Sequence, residues 1–199
     1  VVKDKETAEI LCPRSYPIGT KRICIDTGYF ETYNRENVKL VDISKKPIQR
    51  LVADGIIVDD QLYAFDSIIF ATGFDAMTGS IFNVDIKGRG GLALKEKWNA
   101  GPKTYLGLMS ASFPNLFMIT GPGSPSVKSN MIMSIEQHVD LVIETLLSMR
   151  RKGLSVVEPE LEAENKWVDH VQEVANKTLF PQANSWYMGA NIPGKPRLF

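Results

Sequence analysis

Short apolar runs alternate with acidic and glycine-bearing breaks in the middle of the chain: Ile48–Val52, Gly55–Val58 and Gln61–Phe65 are separated by Ala53-Asp54-Gly55 and by Asp59-Asp60. Four- and five-residue runs joined by such turn formers predict a small antiparallel meander. Val38–Val41 (VKLV), ending on Asp42, has the pattern of a strand in an α/β sheet. Ser67–Phe70 predicts a buried strand, and Asn115–Thr120 (NLFMIT) another, stopped by Gly121-Pro122-Gly123.

The period then changes. Met131, Ile135, Val139, Val142, Leu146 and Met149 recur at helical spacing between Asn130 and Lys152. Ser134 and Gln137 have capping-box spacing, and Arg150, Arg151, Lys152 and Gly153 form a basic last turn with a glycine stop. Leu161, Val168, Val171 and Ala175 mark a second helix, starting near Pro159 and ending before Phe180-Pro181. Strand, glycine-rich break and helix in that order predict an α/β fold of doubly wound character, whose ligands sit at the carboxyl ends of the strands.

The stretch Ser67–Asp75, SIIFATGFD, stops a strand-like run on Ala71, Thr72 and Gly73. Where a strand leaves a sheet beside a bound nucleotide or flavin, small residues let the backbone approach the ligand; the other reading is a strand end followed by a glycine turn. Gly88-Arg89-Gly90-Gly91-Leu92-Ala93 fits a G-x-G-x-x-A string, but Gly101-Pro102 cuts short any helix after it, so it is a weak dinucleotide signal. Gly121–Ser126 carries prolines where a phosphate loop needs free N–H groups, and reads as a rigid turn. Doubly wound character without a phosphate-binding fingerprint implies a preceding part of the protein.

Composition narrows the classes. The chain has 199 residues, 44% hydrophobic, with 23 basic against 23 acidic side chains. That is globular material with no clustered cations beyond Arg150–Lys152, which argues against nucleic acid as a partner. No apolar run approaches the roughly 18 residues of a membrane span, and Val1–Cys12 lack signal-peptide regions, so the expectation is a cytoplasmic protein off the membrane. Cys12 and Cys24 are read as reduced thiols, and no metal site is expected; His138 and His170 are read as core or surface histidines.

Five segments carry a family resemblance: GTKRICIDTGYFETYNRENV (Gly19–Val38), FATGFDAMTG (Phe70–Gly79), GLALKEKW (Gly91–Trp98), GPGSPSVKSNMIMSIEQHV (Gly121–Val139) and SWYMGANIPGKP (Ser185–Pro196). Together they resemble the C-terminal part of a type I Baeyer-Villiger monooxygenase. The resemblance implies doubly wound FAD and NADP domains with a helical insertion. Residues 1–20 would close that insertion, 21–70 complete the NADP domain, and 71–199 return to the FAD domain. The glycine-loop and FxGxxxHxxxWP fingerprints of the family do not occur in this chain, so an N-terminal part of the same enzyme is the expected partner, and the fragment alone should be inactive.

The resemblance also implies the chemistry. NADPH reduces the flavin, O2 adds to give a flavin peroxide anion, and this attacks a ketone; one oxygen atom is inserted beside the carbonyl, giving an ester or lactone. Arg22 matches the catalytic arginine, and Lys21 the contact to the 2′-phosphate of NADPH. Thr72 and Gly73 match the crossing beside both cofactors, Met131 a backbone contact to the flavin, and Trp186 a contact to NADP. Ser126, Val127 and Lys128 match the loop bordering the substrate pocket, where Lys128 replaces an apolar residue. A nitrogen- or sulfur-oxidising flavin monooxygenase and a non-catalytic nucleotide-binding scaffold are the alternatives.

Overall fold

The computed structural model describes residues 1–124, 130–190 and 192–196. It divides into two compact units, the first made of Val1–Ser15 and Arg22–Gly73, the second of Tyr16–Lys21 and the chain from Phe74 onward.

In the first unit the N-terminal helix α1 (Lys5–Leu11) starts on Asp4, whose carboxylate accepts the Thr7 N–H at 2.8 Å. Asn34, just beyond the one-turn helix α2 (Tyr29–Thr32), accepts the Lys3 N–H at 2.8 Å and donates to the Val1 carbonyl at 3.0 Å, pinning the start of the chain. The predicted meander is present: β1 (Ile48–Val52), β2 (Gly55–Val58) and β3 (Gln61–Ala64) form an antiparallel sheet in the order β1-β2-β3. Asp59 and Asp60 have φ of 52° and 59°, both left-handed, which matches the turn to the right-handed twist of the strands. Gln49 across the sheet secures it, accepting the Asp60 N–H at 3.0 Å.

Two strand predictions in this unit are corrected. Val38–Val41 and Ser67–Phe70 join no strand among the described residues, and Ile69 is 92% exposed. An apolar run becomes a buried strand only when neighbouring strands satisfy its backbone and cover its faces. The meander supplies neither.

The second unit holds the larger core. Helices α3 (Gly79–Phe82) and α4 (Leu94–Lys97) bring Leu94 and Trp98 against Phe113 and Met118, with Ile81, Phe82, Ile86, Leu92 and Leu116 around them. The Trp98 indole donates to the Lys103 carbonyl at 2.9 Å, so its one polar atom is satisfied. Asn115–Thr120, predicted as a strand, instead forms no strand and has turns at its two ends, where Asn115 and Thr120 take φ of 58° and 50°. Left-handed residues at both ends break the extended path that its apolar content favours.

The string Gly88–Ala93 forms a turn with a 3-10 segment at Arg89–Gly91 and no following nucleotide-binding helix. Gly88 is there for packing: a Cβ would lie 2.2 Å from the Ser112 carbonyl oxygen and 2.9 Å from the Phe113 ring. Gly88→Ala is expected to lower stability by about 1–3 kcal/mol, the usual cost of overpacking, read as a lower urea midpoint at unchanged slope.

Helix α5 (Met131–Lys152) and helix α6 (Leu161–Asn176) are the long elements. Gly153, at φ 63°, stops α5 as predicted. The cap at its start is Asn130, whose side chain accepts the Ile132 N–H at 3.0 Å, and not the Ser134–Gln137 box. The buried face also differs from the apolar stripe: Ser134 and His138 are buried, whereas Ile135, Val139 and Leu146 are exposed, as are Ile132, Met133, Leu141, Ile143 and Leu147. On the buried side the His138 Nδ1 accepts the Thr120 N–H at 3.0 Å. Among the described residues no helix is long and apolar enough to cross a membrane.

Burial holds the His138 pKa below the ordinary histidine value, consistent with a neutral ring whose Nδ1 is an acceptor. A depressed folded value means that the unfolded chain takes up the proton first. The stability contributed by neutral His138 is therefore complete above about pH 6.5 and is lost as pH falls through the depressed folded value. Melting temperatures measured across about pH 5 to 8 should show this loss in the native protein and not in His138→Gln.

Candidate functional site

Each predicted site residue is best located within its own unit. In the first, Thr72 and Gly73 are exposed at the end of the unpaired Ser67–Phe70 segment. Gly73 has φ of 83°, and a Cβ added there would meet nothing within 4 Å. Within this chain glycine is therefore required by the backbone conformation and not by a neighbouring atom. Among the described residues the segment joins no strand, and its last side chains are small and exposed.

Arg22 is exposed, and its guanidinium makes no hydrogen bond or ion pair among the described residues. An arginine carries a fixed positive charge, and no carboxylate among the described residues pairs with this one. Lys21, next to it, falls in the second unit, where its ammonium lies 4.2 Å from the centroid of the Tyr16 ring. Thr20, buried, fixes the preceding turn by donating its hydroxyl to the Pro17 carbonyl at 2.6 Å.

Met131 is the first residue of α5, half-buried, directly after the Asn130 cap. Of the predicted Gly121–Ser126 turn, the described part is held by hydrogen bonds: Thr104 donates to the Pro122 carbonyl at 2.6 Å, Trp167 to the Gly123 carbonyl at 3.1 Å, and Gly121 N–H to the Gly107 carbonyl at 3.0 Å. Ser126, Val127 and Lys128 lie outside the described residues. Trp186 opens a 3-10 turn (Trp186–Met188), half-buried, with its ring 4.1 Å from that of Tyr187. Among the described residues no hydrogen bond or ion pair joins Lys21, Met131 and Trp186 to one another.

Two polar constellations were not anticipated. Glu164 on α6 is completely buried; its carboxylate accepts from the Lys97 ammonium at 2.7 Å and 2.9 Å, from the Ser110 hydroxyl at 2.9 Å and from the Ala111 N–H at 2.9 Å. Asp75, in FATGFD, is ion-paired with Lys195, in IPGKP, 120 positions later. Burial raises the Asp75 pKa, but the hydrogen bond and charge of Lys195, with the Thr78 N–H and hydroxyl, outweigh it, and the value falls below the usual carboxylate range. Both pairs join residues inside motifs already singled out or on a predicted helix; only their partners were invisible.

The fold is that of the C-terminal part of the two-dinucleotide-binding-domain flavoproteins. A solved cyclohexanone monooxygenase from Rhodococcus sp. Phi1, bound to NADP+, superposes with a TM-score of 0.93 at 40% identity, over 100% of this chain and 37% of that one. A solved complex of OTEMO with FAD and NADP gives 0.88 at 42%, over 93% and 35%. Among sequence relatives, a Baeyer-Villiger monooxygenase from Pseudooceanicola batsensis is 43% identical over 98% of this chain and 35% of its own length. A phenazine N-monooxygenase from Lysobacter antibioticus is 40% identical over 98% and 36%. No protein-family model matches the chain. The chain is thus homologous, from end to end, to the Baeyer-Villiger monooxygenases, and spans about a third of the length of the curated relatives it matches.

Proposed function

We propose that the protein carrying this chain is an NADPH- and FAD-dependent monooxygenase that converts a ketone to an ester or lactone. The balance is ketone, O2, NADPH and a proton giving ester, NADP+ and water. The observation that carries the reading is the end-to-end likeness to Baeyer-Villiger and cyclohexanone monooxygenases, joined to an exposed arginine with no ion pair among the described residues. Bound FAD supplies the redox chemistry, passing electrons from NADPH to O2.

The contribution of this chain is electrostatic and positional. Arg22 stabilises negative charge on the attacking oxygen and then on the former carbonyl oxygen; at an effective dielectric near 20, a charge about 4 Å away is worth roughly 4 kcal/mol. Lys21 selects the 2′-phosphate of NADPH, since a second cation beside Arg22 favours the extra dianionic group. Thr72, Gly73 and the backbone at Met131 hold the cofactors, Trp186 packs on NADP, and Ser126, Val127 and Lys128 border the substrate. In this reading residues 1–20 close the helical insertion, 21–70 complete the NADP domain and 71–199 belong to the FAD domain, of an enzyme of the cytoplasm, where the exposed thiols of Cys12 and Cys24 stay reduced.

A second reading, oxidation at nitrogen, is favoured by the phenazine N-monooxygenase likeness. Offering the full-length protein a cyclic ketone, a thioether and an aromatic N-heterocycle with NADPH and O2, and identifying products by mass spectrometry, separates them. Lactone is the expected product; N-oxide or sulfoxide alone overturns the ketone reading. A colourless protein that NADPH does not bleach under anaerobic conditions leaves only a scaffold.

A further inference from the structure

We propose that Asp75 and Lys195 are positioning residues: their ion pair latches the end of the Ser185–Pro196 strap to the turn just after Thr72-Gly73, and so holds Trp186 in place for the dinucleotide. The pairing stands on the structure, while the link to a dinucleotide rests on the monooxygenase reading.

Among the described residues the far end of the strap has few other ties. Its first half is anchored by Tyr187 and Met188, which pack with Phe180 in a buried cluster that Trp186 borders. Its backbone hydrogen bonds among the described residues are local, running from Met188 and Ala190 to Ser185, Gly189 to Trp186, Ile192 to Gly189 and Lys195 to Ile192. Beneath the second half lies space: a cavity of about 350 Å³ is lined by Ile192–Pro196 on one side and by Phe82, Trp98 and Pro102 on the other. Among the described residues neither buried apolar cluster includes Ile192–Pro196, and the charge pair ties this end down.

The pair is also built for. The Lys195 stem runs over Gly189, where a Cβ would come within 3.2 Å of its Cδ and 3.3 Å of its Cε. Gly79 leaves the corresponding room on the other side, since a Cβ there would lie 2.8 Å from the Asp75 Cβ. Asp75 is further oriented by the Thr78 N–H, 3.4 Å away. The side chains are 30% and 13% exposed, against 76% and 75% for the surface pair Glu162–Lys166, so solvent screens the latch far less.

The test compares Asp75→Asn, Lys195→Met and the double variant in the full-length flavoprotein, by hydrogen exchange of the Tyr187–Lys195 amides and by steady-state kinetics in NADPH. Each single variant is expected to speed exchange in the strap at least about tenfold, the effect of losing one charge-assisted hydrogen bond. The double variant should be no worse than either single, because both remove the same contact. KM for NADPH should rise with kcat and flavin content unchanged. Unchanged strap exchange in both single variants, or additive effects in the double, overturns the latch. Faster exchange with an unaltered KM overturns its role toward the dinucleotide. Absence of any NADPH binding in the native protein would refute the monooxygenase reading alone, and the exchange arm would still decide the latch.

Discussion

Replacing Arg22 by alanine in the full-length protein is expected to abolish ester formation from ketones, with a loss of at least about 10²–10³ in kcat, while NADPH still bleaches the flavin. The two half-reactions separate because hydride transfer to a flavin needs no cation beside the oxygen, whereas insertion builds negative charge on oxygen twice. Arg22 is suited to that task by what it lacks: no acidic partner among the described residues draws its charge away. Arg22→Lys should recover only part of the rate, since a lysine ammonium is a point charge without the planar fork of donors. Anaerobic stopped-flow reduction and product analysis, run on the same preparations, check both halves. Unaltered ester yield in Arg22→Ala would remove the assignment.

Glu164→Ala should be the most destabilising single change in the second unit, by about 3–5 kcal/mol. The substitution leaves the Lys97 ammonium, only 11% exposed, without its carboxylate and strands the Ala111 N–H, while the Ser110 hydroxyl keeps the Lys103 carbonyl as an acceptor at 2.9 Å. Lys97 would keep its contacts to the Ser110 hydroxyl at 2.9 Å and the Ala111 carbonyl at 2.6 Å, which do not neutralise its charge. A control distinguishes loss of a charge partner from loss of volume. Removing both charges, Lys97→Met with Glu164→Leu, should cost less than Glu164→Ala alone, because no buried charge is left unpaired. Urea unfolding followed by tryptophan fluorescence gives both values, and a double variant less stable than the single would contradict the account.

Local chemistry made some elements legible. The meander was readable because its turns are written in adjacent residues: Asp59 and Asp60 tolerate the left-handed backbone that a tight hairpin needs. The limits of α5 and α6 followed from helical periodicity and, for α5, from the glycine after Lys152. Which side of α5 faces the core did not follow. The apolar stripe through Ile135, Val139 and Leu146 is strong by sequence, yet within this chain Ser134 and His138 are the buried positions of α5, and His138 accepts the Thr120 N–H. The strand prediction over Ser67–Phe70 failed for a related reason, since burial of an extended run is a property of what pairs with it.

The amino-acid sequence by itself determined the class, the two long helices, the meander and the family, because each rests on neighbouring residues or on motifs carried whole. It also pointed to Arg22, Lys21 and Trp186 through those motifs. Tertiary structure alone decided that Asp75 meets Lys195 and that Lys97 meets Glu164. Those partners stand 120 and 67 positions apart. A Coulombic contact depends on distance in space and on the solvent excluded around it, and neither quantity is written in the order of residues along the chain.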